Sequence, residues 1–123
     1  MILHLDFSSE VPIYKQIIDE ITWSIYTGQL RPGDELPGVR PLAKEIGVNF
    51  MTVNKAYQEL KQHNLIISHR SRGTTVAESP RLKDPELKEL KMIIASFSLS
   101  GLSHDEILEK VKQILKEENH DSI

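Results

Sequence analysis

The segment 36–76, LPGVRPLAKEIGVNFMTVNKAYQELKQHNLIISHRSRGTTV, constrains this chain more than any other part of it. Val39, Leu42, Ala43 and Ile46 recur at helical spacing over 38–46, and Gly47 ends that helix. Val48 fills a short turn. Asn49 is a good N-cap for a second helix over 50–63, whose core stripe is Val53, Ala56, Tyr57 and Leu60. Asn64 suits the left-handed position after a helix. Residues 65–69 then read as a strand, 70–73 as a turn and 74–77 as the return strand. Two helices joined by a short glycine turn form a helix-turn-helix pattern, and the hairpin that follows forms a wing.

Charge is concentrated in the same place. The whole chain carries a formal net charge of −3. Residues 37–76 nonetheless hold Arg40, Lys44, Lys55, Lys61, Arg70 and Arg72 against only Glu45 and Glu59, a local excess of +4. The acid lies in 1–36 and 77–123. A local basic face still attracts phosphates, because screening confines fields to about 8 Å at physiological salt.

Upstream, Tyr14, Ile17, Ile18, Ile21 and Ile25 predict a helix over 12–27, with Pro12 at its first position and Gly28 as its stop. Tyr14, Trp23 and Tyr26 are expected in the core. Residues 30–33, Leu-Arg-Pro-Gly, read as a type II turn, and 35–36 as a short strand. Downstream, 79–84 is a linker bounded by Pro80 and Pro85. A helix over 85–99 turns Leu87, Leu90, Ile93, Ile94 and Phe97 one way. Ser100-Gly101 breaks it. Ser103 and Glu106 have capping-box spacing, and the last helix is expected to reach about Glu118. The expected fold is mainly α with a small β-hairpin: a winged helix-turn-helix over 1–79 and a two-helix tail over 80–123. Two helices of that size fall below the roughly 40 residues that usually bury a core alone, so their apolar stripes need a partner. The same tail of a second copy is the commonest solution.

Several classes of chemistry find no footing. There is no cysteine, hence no disulfide, thiolate nucleophile or cysteine zinc site. His4, His63, His69, His104 and His120 are scattered, without metal-ligand spacing. No nucleophile–base pair and no glycine-rich phosphate loop is present, so neither an enzyme nor a cofactor or metal site is expected. No apolar run approaches the roughly 20 residues of a membrane span, and the N-terminus does not read as a signal peptide. A cytoplasmic location is expected.

In a helix-turn-helix, the amino-terminal residues of the second helix reach base edges. Here those are Asn49, Phe50, Met51, Thr52, Asn54 and Lys55. Asn49 or Asn54 suits adenine, and Phe50, Met51 and the Thr52 methyl suit thymine methyl groups. The phase of Phe50 and Met51 differs from the core stripe, which favours exposure over core packing. Arg40 is placed to hold a phosphate or a guanine; the competing reading is a surface ion pair with Glu45 or Asp34. Arg70, Arg72 and Gly73 form the wing tip, which is expected at the minor groove.

These residues resemble the winged-helix domain of the GntR family of bacterial transcription regulators. The resemblance rests on Pro12-Ile13-Tyr14-Lys15-Gln16-Ile17, Gly28-Gln29-Leu30-Arg31-Pro32-Gly33, Leu36-Pro37-Gly38-Val39-Arg40-Pro41-Leu42-Ala43 and Gly47-Val48-Asn49. Thr52-Val53-Asn54-Lys55-Ala56-Tyr57-Gln58-Glu59-Leu60 and Leu65-Ile66 extend it. It implies DNA contacts from Arg40, from 49–52, from Asn54 and from the wing at 70–73. Gly38 stands where the family has serine, Asn64 where it has glycine before Leu-Ile, and Ser71 at the first wing glycine. The short tail is similar to that of the YtrA subfamily. That implies dimerisation through the tail and no sizeable effector pocket, which leaves any small-molecule effector unspecified.

The expected function is therefore a sequence-specific, dimeric repressor on double-stranded DNA, with an inverted-repeat operator. Its half-sites would lie about 34–36 Å apart, or a multiple of that. The alternative is a winged-helix protein-interaction module with no DNA role. Such a module has no need of two arginines at a wing tip.

Overall fold

The computed structural model describes residues 3–82 and 85–117. Helix α1 spans Ile13–Thr27, strand β1 Glu35–Leu36, α2 Val39–Ile46 and α3 Phe50–Gln62. Strands β2 and β3 are Ile66–His69 and Gly73–Val76, and the tail carries α4, Leu87–Leu99, and α5, His104–Lys116. Contacts group the chain into two compact units, Met1–Lys83 and Asp84–Ile123.

In the first unit the apolar stripes read from the sequence meet in one core. Ile17 and Ile21 of α1, Leu42 and Ala43 of α2, and Val53, Ala56, Tyr57 and Leu60 of α3 pack with Leu30, Leu36, Leu65, Ile66 and Val76. Val39, Ile46 and Val48 are partly buried against it. The sheet order is β1-β3-β2, antiparallel throughout, with Glu35 opposite Thr75 and His69 opposite Gly73. The sequence marked 35–36 as a strand without indicating its partner. That pairing is set by the turn before it, where the Asp34 N–H donates to the Arg31 carbonyl and Gly33 has φ +85°. Pro32 and Gly33 are thus the central residues of a type II turn. The closing bond shows that this turn runs from Arg31 to Asp34, one residue later than expected.

Three expectations shift. Pro12 is the N-cap of α1, not its first residue: its ψ is 146°, and its carbonyl accepts from Lys15 and Gln16. Trp23 lies outside the core, 41% exposed, with Tyr26 against it at a ring-centroid distance of 5.2 Å. The buried line of α1 is Ile17, Ile21 and Ser24, and Trp23 projects well to one side of it. Helix α4 starts at Leu87, with Pro85 and Glu86 ahead of it and Glu86 as N-cap. Glu118, the expected end of α5, and the end of the linker at 83–84 lie outside the described residues, as does His120.

A segment that the sequence left unstructured is tied to α1. The Gln16 amide donates to the carbonyls of Asp6 and Val11 and accepts from the Asp6 N–H. Leu3 and Leu5 pack on the core beside it.

In the second unit, the Ser103 hydroxyl accepts from the Glu106 N–H at 3.1 Å and the Glu106 carboxylate accepts from the Ser103 N–H at 2.9 Å. That is the reciprocal capping box anticipated from the spacing. Ile107 is buried, whereas Leu87, Leu90, Ile93, Ile94, Phe97, Leu108, Val111, Ile114 and Leu115 remain exposed. Ile94, His104, Ile107, Leu108 and Val111 line an apolar groove of about 330 Å³. Among the described residues, no helix is long and apolar enough to cross a membrane.

Candidate nucleic-acid interface

The turn between α2 and α3 is built by backbone. Gly47 takes a left-handed conformation, φ 74°, and the N–H groups of Gly47 and Val48 both return to the Ala43 carbonyl. The chain then restarts at once, because Asn49 caps α3. Its Oδ1 accepts from the Met51 N–H at 2.7 Å. At the far end Asn64 stands at φ 61°, and the Leu65 N–H reaches back to the Leu60 carbonyl. It is the only non-glycine residue at positive φ among the described residues, so asparagine serves where glycine is usual. Ser71 is therefore not at positive φ, and that wing position places no demand for glycine on the backbone.

Helix α3 is fixed from three sides. Its inner face is the core stripe. The buried Tyr57 hydroxyl donates to the Pro37 carbonyl at 2.7 Å, just ahead of α2, and burial pushes that phenol well above its usual pKa. The Lys55 Nζ lies 3.9 Å from the centre of the Tyr14 ring, which links α3 to α1.

The outer face carries the residues singled out by sequence. Arg40 is exposed near the start of α2, and its guanidinium carbon lies 4.5 Å from the centre of the Phe50 ring. Phe50, the first residue of α3, is half-buried beneath that guanidinium rather than open to solvent. Met51 is 62% exposed, in keeping with its phase. Thr52 and Asn54 are half-buried, and Asn49 and Lys55 are exposed. The asparagines differ in what they have left to offer. The Asn49 oxygen is engaged in the cap, so a bidentate adenine contact, which needs both oxygen and nitrogen, falls to Asn54.

Arg70, Arg72 and Gly73 are exposed at the hairpin tip, with Gly73 at φ 72°. One arginine folds back. The Arg72 Nη2 lies 3.3 Å from His69 Nε2, which is also 2.9 Å from the Thr75 hydroxyl.

Three contacts escaped the sequence reading: Arg40 with Phe50, Lys55 with Tyr14, and Arg72 with His69. The first two depend on how separate helices cross, which periodicity does not encode. The third was accessible in principle, since a hairpin with His69 opposite Gly73 brings residue 72 back beside the histidine.

A helix-turn-helix with a capped, partly exposed second helix and a basic hairpin defines a winged-helix DNA-binding transcription regulator. The chain belongs to the gntR family of bacterial regulatory proteins, whose family profile matches residues 13–76. It is 36% identical over 118 residues to the HTH-type transcriptional repressor YtrA of Bacillus subtilis, covering 91% of each chain. Its fold is similar to that of a transcriptional antiterminator from Listeria monocytogenes EGD-e, with a TM-score of 0.82, 30% identity, and coverage of 94% of this chain and 93% of that one. It is also similar to the DNA-binding domain of AraR solved with operator ORX1: TM-score 0.52, 32% identity, and coverage of 61% of this chain and 93% of the other.

Proposed function

We propose that this protein is a cytoplasmic, dimeric repressor that recognises an inverted-repeat operator. The observation that carries the reading is the exposed start of α3, capped by Asn49 and flanked by Arg40 stacked on Phe50. In this reading Arg40, Met51, Thr52, Asn54 and Lys55 meet the major groove, with Phe50 beneath Arg40 and Asn49 at the neighbouring backbone. Arg70, Arg72 and Gly73 approach the minor groove. The repressor role is the one named for the Bacillus relative.

Dimerisation is supported by the tail. Leu87, Leu90, Ile93, Ile94 and Phe97 of α4 and Leu108, Val111, Ile114 and Leu115 of α5 are too large an apolar set to leave in water. A second tail related by a two-fold axis covers it and fills the groove beside Ile107, and a two-fold protein matches a two-fold operator.

The test is selection from random duplex DNA with the full chain, followed by sedimentation of the protein alone. Enrichment of an inverted repeat and a dimeric mass are expected. Failure to enrich any sequence overturns the DNA reading. A monomer with an asymmetric site overturns the two-fold one.

A further inference from the structure

The geometry points to Phe50 as a positioning residue that sets the plane of the Arg40 guanidinium for one guanine, rather than as a contact to DNA in its own right. This rests on the major-groove reading above. The inference starts from the guanidinium carbon of Arg40, which lies over the Phe50 ring at 4.5 Å from its centre. That is within the range of a cation–π contact, and arginine stacks flat on aromatic faces.

Phe50 has no other evident employment. It does not belong to the core cluster of the first unit, although it flanks the Val53–Tyr57 edge of the α3 core stripe. It is half-buried, and the group found over its ring is Arg40. A large aromatic residue at the first position of a helix, at the margin of the core stripe but outside the core cluster, has its exposed ring accounted for by the cation over it.

The consequence is chemical. In the flat orientation that arginine favours on an aromatic ring, one face of the guanidinium is covered and its N–H edge stays open. That edge pairs bidentately with guanine O6 and N7, a contact that demands a defined plane. A free arginine explores many rotamers and loses that freedom on docking. One already stacked loses less, so it binds better and tolerates the wrong base less well. The two residues come from different helices, so the contact also fixes the plane relative to the axis of α3. Asn54 reads from that same helix.

The experiment uses the full chain and the operator obtained by selection. Phe50→Leu, Phe50→Tyr and Arg40→Ala are made singly, and Phe50→Leu is also combined with Arg40→Ala. Phe50→Leu is expected to lower affinity by about 2- to 5-fold and to flatten the preference at one guanine position. Phe50→Tyr keeps the ring and is expected to restore both. With Arg40 already alanine, Phe50→Leu is expected to add nothing. In the free protein, the Arg40 side-chain protons are expected upfield from the ring current, and to return to ordinary values in Phe50→Leu. Additive losses in the double variant would show that Phe50 touches DNA itself and would overturn the positioning role. So would unshifted Arg40 protons in the wild-type protein. A chain that selects no operator at all fails earlier, and takes the DNA reading down with the positioning role.

Discussion

Arg40 and Arg70 carry the same charge on different supports, and that difference separates their predicted effects. Arg40 is held against an aromatic ring near the start of α3, whereas Arg70 stands at the exposed tip of a hairpin. Replacing Arg40 with alanine is expected to cost about 1–3 kcal/mol of operator binding and to relax preference at one base pair. Replacing Arg70 is expected to weaken all duplexes alike and to lower the salt slope by about 1. Anisotropy titrations at several salt concentrations distinguish the two, and wild-type curves from both variants would remove both residues from the interface. Arg40 was legible in the sequence because its place between Val39 and Leu42 on a short helix is a family signature. Its partner was not, since stacking on Phe50 depends on how α2 crosses α3. The sequence offers Phe50 only as a neighbour for thymine methyl groups, whereas the positioning role proposed for it rests on its half-burial under Arg40.

At the scale of elements, caps decide whether short helices hold their places. The α3 cap sits where DNA is expected, so the proposed function gives Asn49 a second role beside capping, and substitution can separate the two. Asn49→Ala removes the acceptor for the Met51 N–H and is expected to cost about 1 kcal/mol of stability. Asn49→Asp keeps the acceptor and adds a negative charge that suits a helix start, so thermal stability is expected to hold. That same charge repels phosphate, so operator affinity is expected to fall. An aspartate variant that binds as tightly as wild type would place the α3 start away from the backbone. The α5 cap is pH-sensitive instead. The Ser103 N–H, with its hydroxyl, holds the Glu106 carboxyl below the usual glutamate value. A group whose folded pKa is lowered contributes stability above its unfolded value and loses it as pH falls through the folded one. The α5 start should therefore be intact at neutral pH and loosen in acid, with Glu106 titrating below an ordinary glutamate by NMR. Titration at the ordinary value would mean the box is open in solution, and Glu106→Gln should abolish this part of the pH dependence. Both caps were legible because capping is local chemistry at fixed offsets. The pairing of β1 with β3 and the exposure of Trp23 were not, because they follow from tertiary placement.

For the whole molecule the controlling fact is that its cationic excess and most of its exposed large apolar side chains sit in different parts of the chain. The cationic excess falls within 37–76, while the tail leaves large apolar side chains of α4 and α5 uncovered. A protomer alone would bring one recognition helix and a modest local charge to a polyanion, on a chain that is acidic overall. The proposed pairing through the tail would change the arithmetic, because the second half-site would then be bound at a high effective concentration. Leu90→Glu combined with Ile93→Glu places two like charges among the exposed apolar residues of α4 and leaves the sequence of the first unit unchanged. The variant is expected to sediment as a monomer and to keep the winged-helix spectrum. It should bind a single half-site as a wild-type protomer does, yet lose on the order of 10²-fold or more on the complete inverted repeat. A variant that stays dimeric would move the dimer seam off α4. A monomer that binds the full operator at wild-type strength would show that recognition by one winged helix is sufficient and that the symmetry of the site is incidental.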